Sequence, residues 1–211
     1  MSELSTLSKF ETSPTTVPKR STNRTSLGFA AQKSVVPVSK DVATLQDFAK
    51  KIEQEFIQGS GIAPLLYAAG IAIVGDTEVL AGREVAYPIA EALNWKLTRF
   101  GQRARETLFA ALFLNEDGFI HHSKLSRSLE VGKKAYCAPT GSGSRGYLPP
   151  IPMAIRQLIS QQYGIKFPSD GSFWDFVECH PEIPIVITEG DKKSLSLLSA
   201  GYVTIALYGV N

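Results

Sequence analysis

Apolar residues recur at helical spacing from Asp41 onward: Val42, Leu45, Phe48, Ala49, Ile52 and Phe56, with Lys50, Lys51, Glu53 and Glu55 between them. That pattern predicts an amphipathic helix closed by Gly59. The segment GIAPLLYAAGIAIVGD (61–76) predicts a short helix from Pro64 and a turn at Gly70. A long helical stretch is expected from Ala86, with Ile89, Leu93, Leu97 and Phe100 on one stripe. Lys96, Arg99, Arg103 and Arg105 crowd the same region, and the run LFAALFLNEDG (108–118) then ends at an Asp-Gly turn.

Residues 119–150 read as turn-rich, with short strands around 134–137 and 145–148. Pro152 opens a helix in which Ile155, Leu158 and Ile159 face inward and Gly164 forms the end. SFWDFV (172–177) is a further short helix or turn with an aromatic anchor.

The last third carries the sharpest pattern. Residues 183–188 (IPIVIT) are a continuous apolar, β-branched run, as expected of a strand buried on both faces. Residues 191–200 have helical spacing through Leu195 and Leu198, with Gly201 at the end, and 202–207 (YVTIAL) read as a second strand. A crossover this short between two strands implies a parallel β–α–β unit. The fold class expected is α/β, α+β overall, with a mostly helical N-terminal part ahead of that unit. Three regions follow: a Ser/Thr/Pro-rich arm over 1–40, expected to be disordered, a helical and turn-rich region over 41–180, and the β–α–β unit over 181–211.

Composition changes this picture only at its edges. The chain has 211 residues, 22 Lys+Arg against 20 Asp+Glu and a formal charge of +2. That excludes a strongly basic nucleic-acid coat and leaves room for a local basic patch. No apolar run reaches the length of a spanning helix, so no membrane is expected. Two cysteines, Cys137 and Cys179, build neither a disulfide scaffold nor a zinc site by themselves; a reducing, cytoplasmic location is expected.

The chemistry concentrates at Glu189-Gly190. Ligands of parallel sheets gather beyond the carboxyl ends of the strands. A carboxylate there suits a hard cation such as Mg²⁺, and Lys192 and Lys193 in the first turn of a helix suit phosphate. The alternative is a carboxylate that caps the helix beside solvated lysines. Arg99, Arg103 and Arg105, with Trp95 and Phe100, form a candidate nucleic-acid-binding helix, the alternative being an amphipathic helix with solvated arginines. Lys134 and Arg145 join the candidates. The loop 138–150 lacks the Lys-Ser/Thr of a Walker motif, although Arg145 with the amides of 141–146 is a candidate anion nest. His121 and His122 are adjacent, and adjacent residues are not expected to converge on one ion.

The segment IVITEGDKKSLSLLSAGYVTIALYGV (185–210) resembles the opening of a Toprim domain, and most closely the Toprim-like form of DUF3854 proteins of cyanobacteria, phages and plasmids. Thr188, Glu189, Gly190, Lys192 and Lys193 carry the likeness, followed by Leu198, Gly201, Tyr202, Gly209 and Val210. Lys134, Tyr136, Pro139, Arg145 and the FWDFV segment resemble the region that precedes it. The resemblance implies a primase-like nucleic-acid-processing protein, DNA or RNA and other replication proteins as partners, and catalytic Glu189, Lys192 and Lys193. Glu189 would also be a metal ligand for Mg²⁺. The Asp-x-Asp pair that such a domain uses to hold the metal is absent from the sequence. The resemblance therefore implies a chain truncated within that domain, with weak Mg²⁺ binding and no turnover alone, and self-association through uncovered sheet edges. The rival expectations are a non-catalytic nucleic-acid-binding module and an inactive fragment.

Overall fold

The computed structural model describes residues 44–129 and 135–208. The expected arm over 1–40, Lys134, Gly209 and Val210 lie outside them. Helix α1 (Leu45–Glu53) starts at Thr44, whose side chain accepts from the Asp47 amide, and runs on into a π-helical turn, Gln54–Gln58. It buries Phe48, Ile52 and Phe56, the expected stripe, while Leu45 stays exposed. Gly59 retains helical dihedrals, and the left-handed residue beyond it is Gly61.

Helix α2 (Pro64–Gly70) begins at the expected proline, but no turn follows Gly70. The chain passes directly into β1 (Ile71–Gly75). A small hairpin, β2 (Glu78–Val79) and β3 (Val85–Ala86), leads to α3 (Pro88–Ala92). The long helix expected from Ala86 is not formed. It is divided into α3, a single 3₁₀ turn at Leu97–Arg99, and α4 (Gln102–Glu106).

The apolar run that follows, for which no strand was expected, is β4 (Phe109–Leu114), an inner strand of an antiparallel sheet in the order β1-β4-β5-β6. Strand β5 is Ile120–Leu125 and β6 is Tyr136–Cys137. The N-terminal part is thus not mostly helical, and residues 119–150 hold a six-residue strand as well as turns. A short, wholly apolar run has no polar face from which its period can be read. What decides β4 is coverage of both faces: Phe109, Ala111 and Phe113 enter one core with Phe48 and Phe56, and Ala110 and Leu112 enter a second with Ile89 and Leu93. Alternation with period two is the strand's own signature.

Helix α5 (Met153–Tyr163) is capped at Pro152 and ends at left-handed Gly164, as expected; Ile155 and Ile159 face inward but Leu158 is exposed. Helix α6 (Phe173–Glu178) has Ser172 as its N-cap. Glu116 then receives the Ser172 hydroxyl at 2.6 Å and the Phe173 amide at 2.9 Å, tying α6 to the turn after β4.

Strands β7 (Val186–Glu189) and β8 (Thr204–Leu207) pair in parallel through α7 (Asp191–Ser199), so the expected β–α–β unit is present. Its first strand differs from expectation. It is shorter than 183–188 and not buried on both faces: Ile187 is 66% exposed, and of the apolar residues only Ile183 is buried. β7 pairs with β8 alone among the described residues, and β8 is bridged on its far side by Tyr147. An edge strand has one neighbour and one uncovered side, whatever its hydrophobicity. On the covered side, Leu195, Leu198, Val203 and Ala206 share the core of α1 and the antiparallel sheet. Gly201 has φ +90°, a conformation that L side chains rarely adopt, which explains the glycine that ends α7. No helix of the described residues is long and apolar enough to cross a membrane.

Candidate functional site at the carboxyl end of the parallel strands

Glu189 is the last residue of β7, opposite Leu207 of β8, and is exposed. Gly190 follows with φ +93°, a conformation that L side chains rarely adopt, and the chain turns there into α7. Glu189 thus lies at the carboxyl end of a parallel strand immediately before a helix N-terminus. Its carboxylate forms no ion pair with Lys192 or Lys193 among the described residues. Lys193 is exposed, whereas Lys192 turns away to Glu55 of the π-helical turn, with Nζ 2.9 Å from Oε1.

Asp191 is not an open ligand either. It is buried, and its carboxylate meets both adjacent histidines of β5: His122 Nδ1 lies 2.9 Å from Oδ2, and His121 Nε2 lies 3.1 Å from Oδ1. Two adjacent residues of one strand thus reach the same carboxylate. The β4–β5 register shifts at this point, Phe113 pairing with His122 and Leu114 with Ile120, so His121 is left opposite no partner. A β-bulge of this kind re-aims a side chain that regular pleating would send to the other face. His121 Nε2 faces Asp191 without hydrogen-bond alignment, and its Nδ1 has no partner among the described residues. Its ring stacks on Tyr208 at 4.4 Å, and the Tyr208 hydroxyl donates to the His121 carbonyl.

Burial opposes the Asp191 charge, but the contacts of His121 and His122 outweigh it and hold the carboxyl below its ordinary range. A second cluster adjoins the first. Lys124 and Lys192 both donate to Oε1 of Glu55, Lys124 at 2.6 Å and Lys192 at 2.9 Å. Partial burial again opposes the charge, and the two lysines lower the Glu55 carboxyl in spite of it. Tyr136 lies near both clusters. Burial, followed by the charges of Glu55 and Asp191, pushes its phenol up to about 12.

The expected basic residues divide. Arg105 is not available to a nucleic acid: it is 3% exposed, with Nη1 2.5 Å from Asp76 Oδ2 and Nη2 donating to the Leu97 carbonyl at 2.6 Å. Its placement follows from the broken helix, since α4 turns its last basic residue back under Asp76. Arg99 and Arg103 are exposed, Arg99 lying over Trp95 at 4.5 Å from the ring centroid. Arg145 is exposed, 3.8 Å from Asp117 and over the ring of Phe119. Residues that sequence spacing missed are Glu55, Lys124, His121, His122 and Asp191 as a connected group. Glu55, the strand that carries His121, His122 and Lys124, and Asp191 are far apart in the chain, and the bulge that joins the histidines leaves no mark in composition.

Among the described residues no three His, Cys, Asp or Glu side chains are placed to share a metal ion. Asp191 and Glu55, the two other carboxylates tied to the first turn of α7, are each engaged by two basic side chains. The described residues therefore do not by themselves fit a resident Mg²⁺ site, for which several oxygen ligands must converge.

No solved structure matches the chain. An uncharacterized protein of Picosynechococcus sp. strain PCC 7002 is 47% identical over 53 residues, which is 25% of this chain and 5% of that relative. The chain thus spans a small part of the length of the curated relative it matches. Residues 173–211, from the start of α6 through the β–α–β unit, match the family described as a domain of unknown function, DUF3854.

Proposed function

We propose that this chain serves in nucleic-acid processing, as a primase-like protein of Toprim type whose parallel unit receives a phosphodiester backbone at its carboxyl end. The observation that carries the reading is the exposed Glu189, followed by Gly190 at φ +93° and the first turn of α7. The amides of the first turn of α7 and the exposed Lys193 are suited to hold a phosphate, and the Glu189 carboxylate, one residue before Gly190, is suited to an adjoining hydroxyl or water. Glu189 would act as acid or base at that hydroxyl, and Lys193 would offset the phosphate charge. Metal-dependent cleavage or synthesis would need carboxylates additional to Glu189, and residues 1–211 contain no Asp-x-Asp pair.

A second reading, a non-catalytic nucleic-acid-binding module, is favoured by one observation: Asp191 and Glu55 are engaged by basic side chains and not open to a metal. One assay bears on both readings, and turnover is the outcome that separates them. The purified chain, titrated with Mg²⁺ and assayed for primer synthesis and DNA nicking, is expected to bind the ion weakly and to show no turnover. Robust Mg²⁺-dependent activity that survives Glu189→Gln would remove Glu189 from the chemistry. Activity lost in that variant would favour the enzyme over the module.

A further inference from the structure

We propose that Lys124 and Lys192 form a phosphate subsite that Glu55 occupies as an internal anion. This rests on the nucleic-acid reading for the source of the phosphate, but not for its chemistry. Two ammonium groups, from β5 and from α7, donate to the same oxygen of one carboxylate. Both also lie over the same ring, Phe56, at 5.8 and 5.7 Å from its centroid. Two cations held around one carboxylate leave a net positive charge, which a phosphate oxygen pair neutralises more fully than a single carboxylate does. The three side chains are 19%, 34% and 32% exposed for Lys124, Lys192 and Glu55, so solvent and a ligand reach them.

Position supports exchange. Glu55 lies in the π-helical turn that extends α1, and such turns are irregularities found frequently at functional sites. Lys192 is the second residue of α7, two positions after Gly190, and its side chain runs from the start of that helix to Glu55. Glu55 can leave with little loss to the core, because the buried residue of that turn is Phe56. In the subsite, phosphate oxygens replace the Glu55 carboxylate as acceptors of the two ammonium donors, and Glu55 turns to solvent. No covalent step is involved.

The test compares the full chain with Glu55→Gln, using a single-stranded oligonucleotide and inorganic tripolyphosphate as probes, with far-UV circular dichroism to establish folding. Removing the competing charge is expected to tighten oligonucleotide binding by about 3- to 10-fold at low salt and to steepen the salt slope by about one. Adding Lys192→Gln to that variant is expected to cancel the gain. A gain for tripolyphosphate without any oligonucleotide binding upholds the subsite and overturns the nucleic-acid reading. A folded Glu55→Gln chain with no gain for either probe overturns the subsite, as does a gain that persists after Lys192→Gln. Should Glu55→Gln not fold, Lys192→Gln alone decides: weaker binding with a shallower slope upholds the proposal, and unchanged binding overturns it.

Discussion

Arg105→Ala is expected to destabilise the protein by about 3–5 kcal/mol, the cost of leaving a buried charge without its partner. Asp76 is fully buried, and Arg105 supplies its Oδ2 partner at 2.5 Å; the other oxygen accepts from the Ala90 amide at 2.9 Å. Truncation removes the cation, leaves the carboxylate dry, and frees the Leu97 carbonyl that Nη2 had bound. Arg99→Ala and Arg103→Ala alter exposed side chains and are expected to stay within about 0.5 kcal/mol of the parent. Urea midpoints of the three single variants measure this directly. A loss below about 1 kcal/mol for Arg105→Ala would contradict the buried pair. The consequence for function is practical: weakened nucleic-acid binding in a variant lacking Arg105 would report unfolding, so the exposed arginines must be tested without it.

Asp191→Asn is expected to cost about 1.5–3 kcal/mol near neutral pH, the range for a hydrogen bond to a charged group, here the one with His122. The carboxylate joins the start of α7 to the bulged strand β5, and an amide can serve both histidines only with loss of the charge. The direction of the pH effect follows from the lowered carboxyl. Its folded value lies below the ordinary 3.8, so the charged form is favoured by folding. The stabilisation is complete above the unfolded value and is lost as pH falls through the folded one. The difference between parent and Asn variant should therefore be full at pH 6 and shrink on acidification below about pH 4. Denaturant midpoints at a series of pH values check this; a difference that does not change with pH would mean that the carboxylate charge is not what joins α7 to β5.

How much of this was legible in the sequence depends on what each segment contacts. The caps and turns of α5 and α7 were readable because Pro152, Gly164 and Gly201 act through local backbone geometry. The parallel unit was readable because a crossover that short constrains the strand direction. The run 108–114 was not, since only helices on both sides of the sheet decide between strand and helix for a segment with no polar face. The exposure of Ile187 was hidden for the opposite reason. Its sequence is that of an interior strand, while its position in the sheet is an edge.

The site divides in the same way. Glu189-Gly190 stood out through its place at a strand end, and it is exposed there. The partners of the next two residues did not stand out. Glu55 is 137 positions from Lys192, and His122 is 69 from Asp191. Such pairings arise where the π-helical turn after α1 and strand β5 meet the start of α7, which a single sequence does not reveal. Arg105 illustrates the converse error: a charge that reads as surface can be the necessary partner of a buried one.

Hydrogen–deuterium exchange of the full chain, with and without a single-stranded oligonucleotide, tests most directly the claim that the carboxyl end of β7 and β8 receives a phosphate backbone. The account predicts slower exchange on binding at residues 188–194, together with the turn around Glu55. Protection confined to the surface around Arg99 and Arg103, or no change at 188–194 when the oligonucleotide is bound, would contradict it.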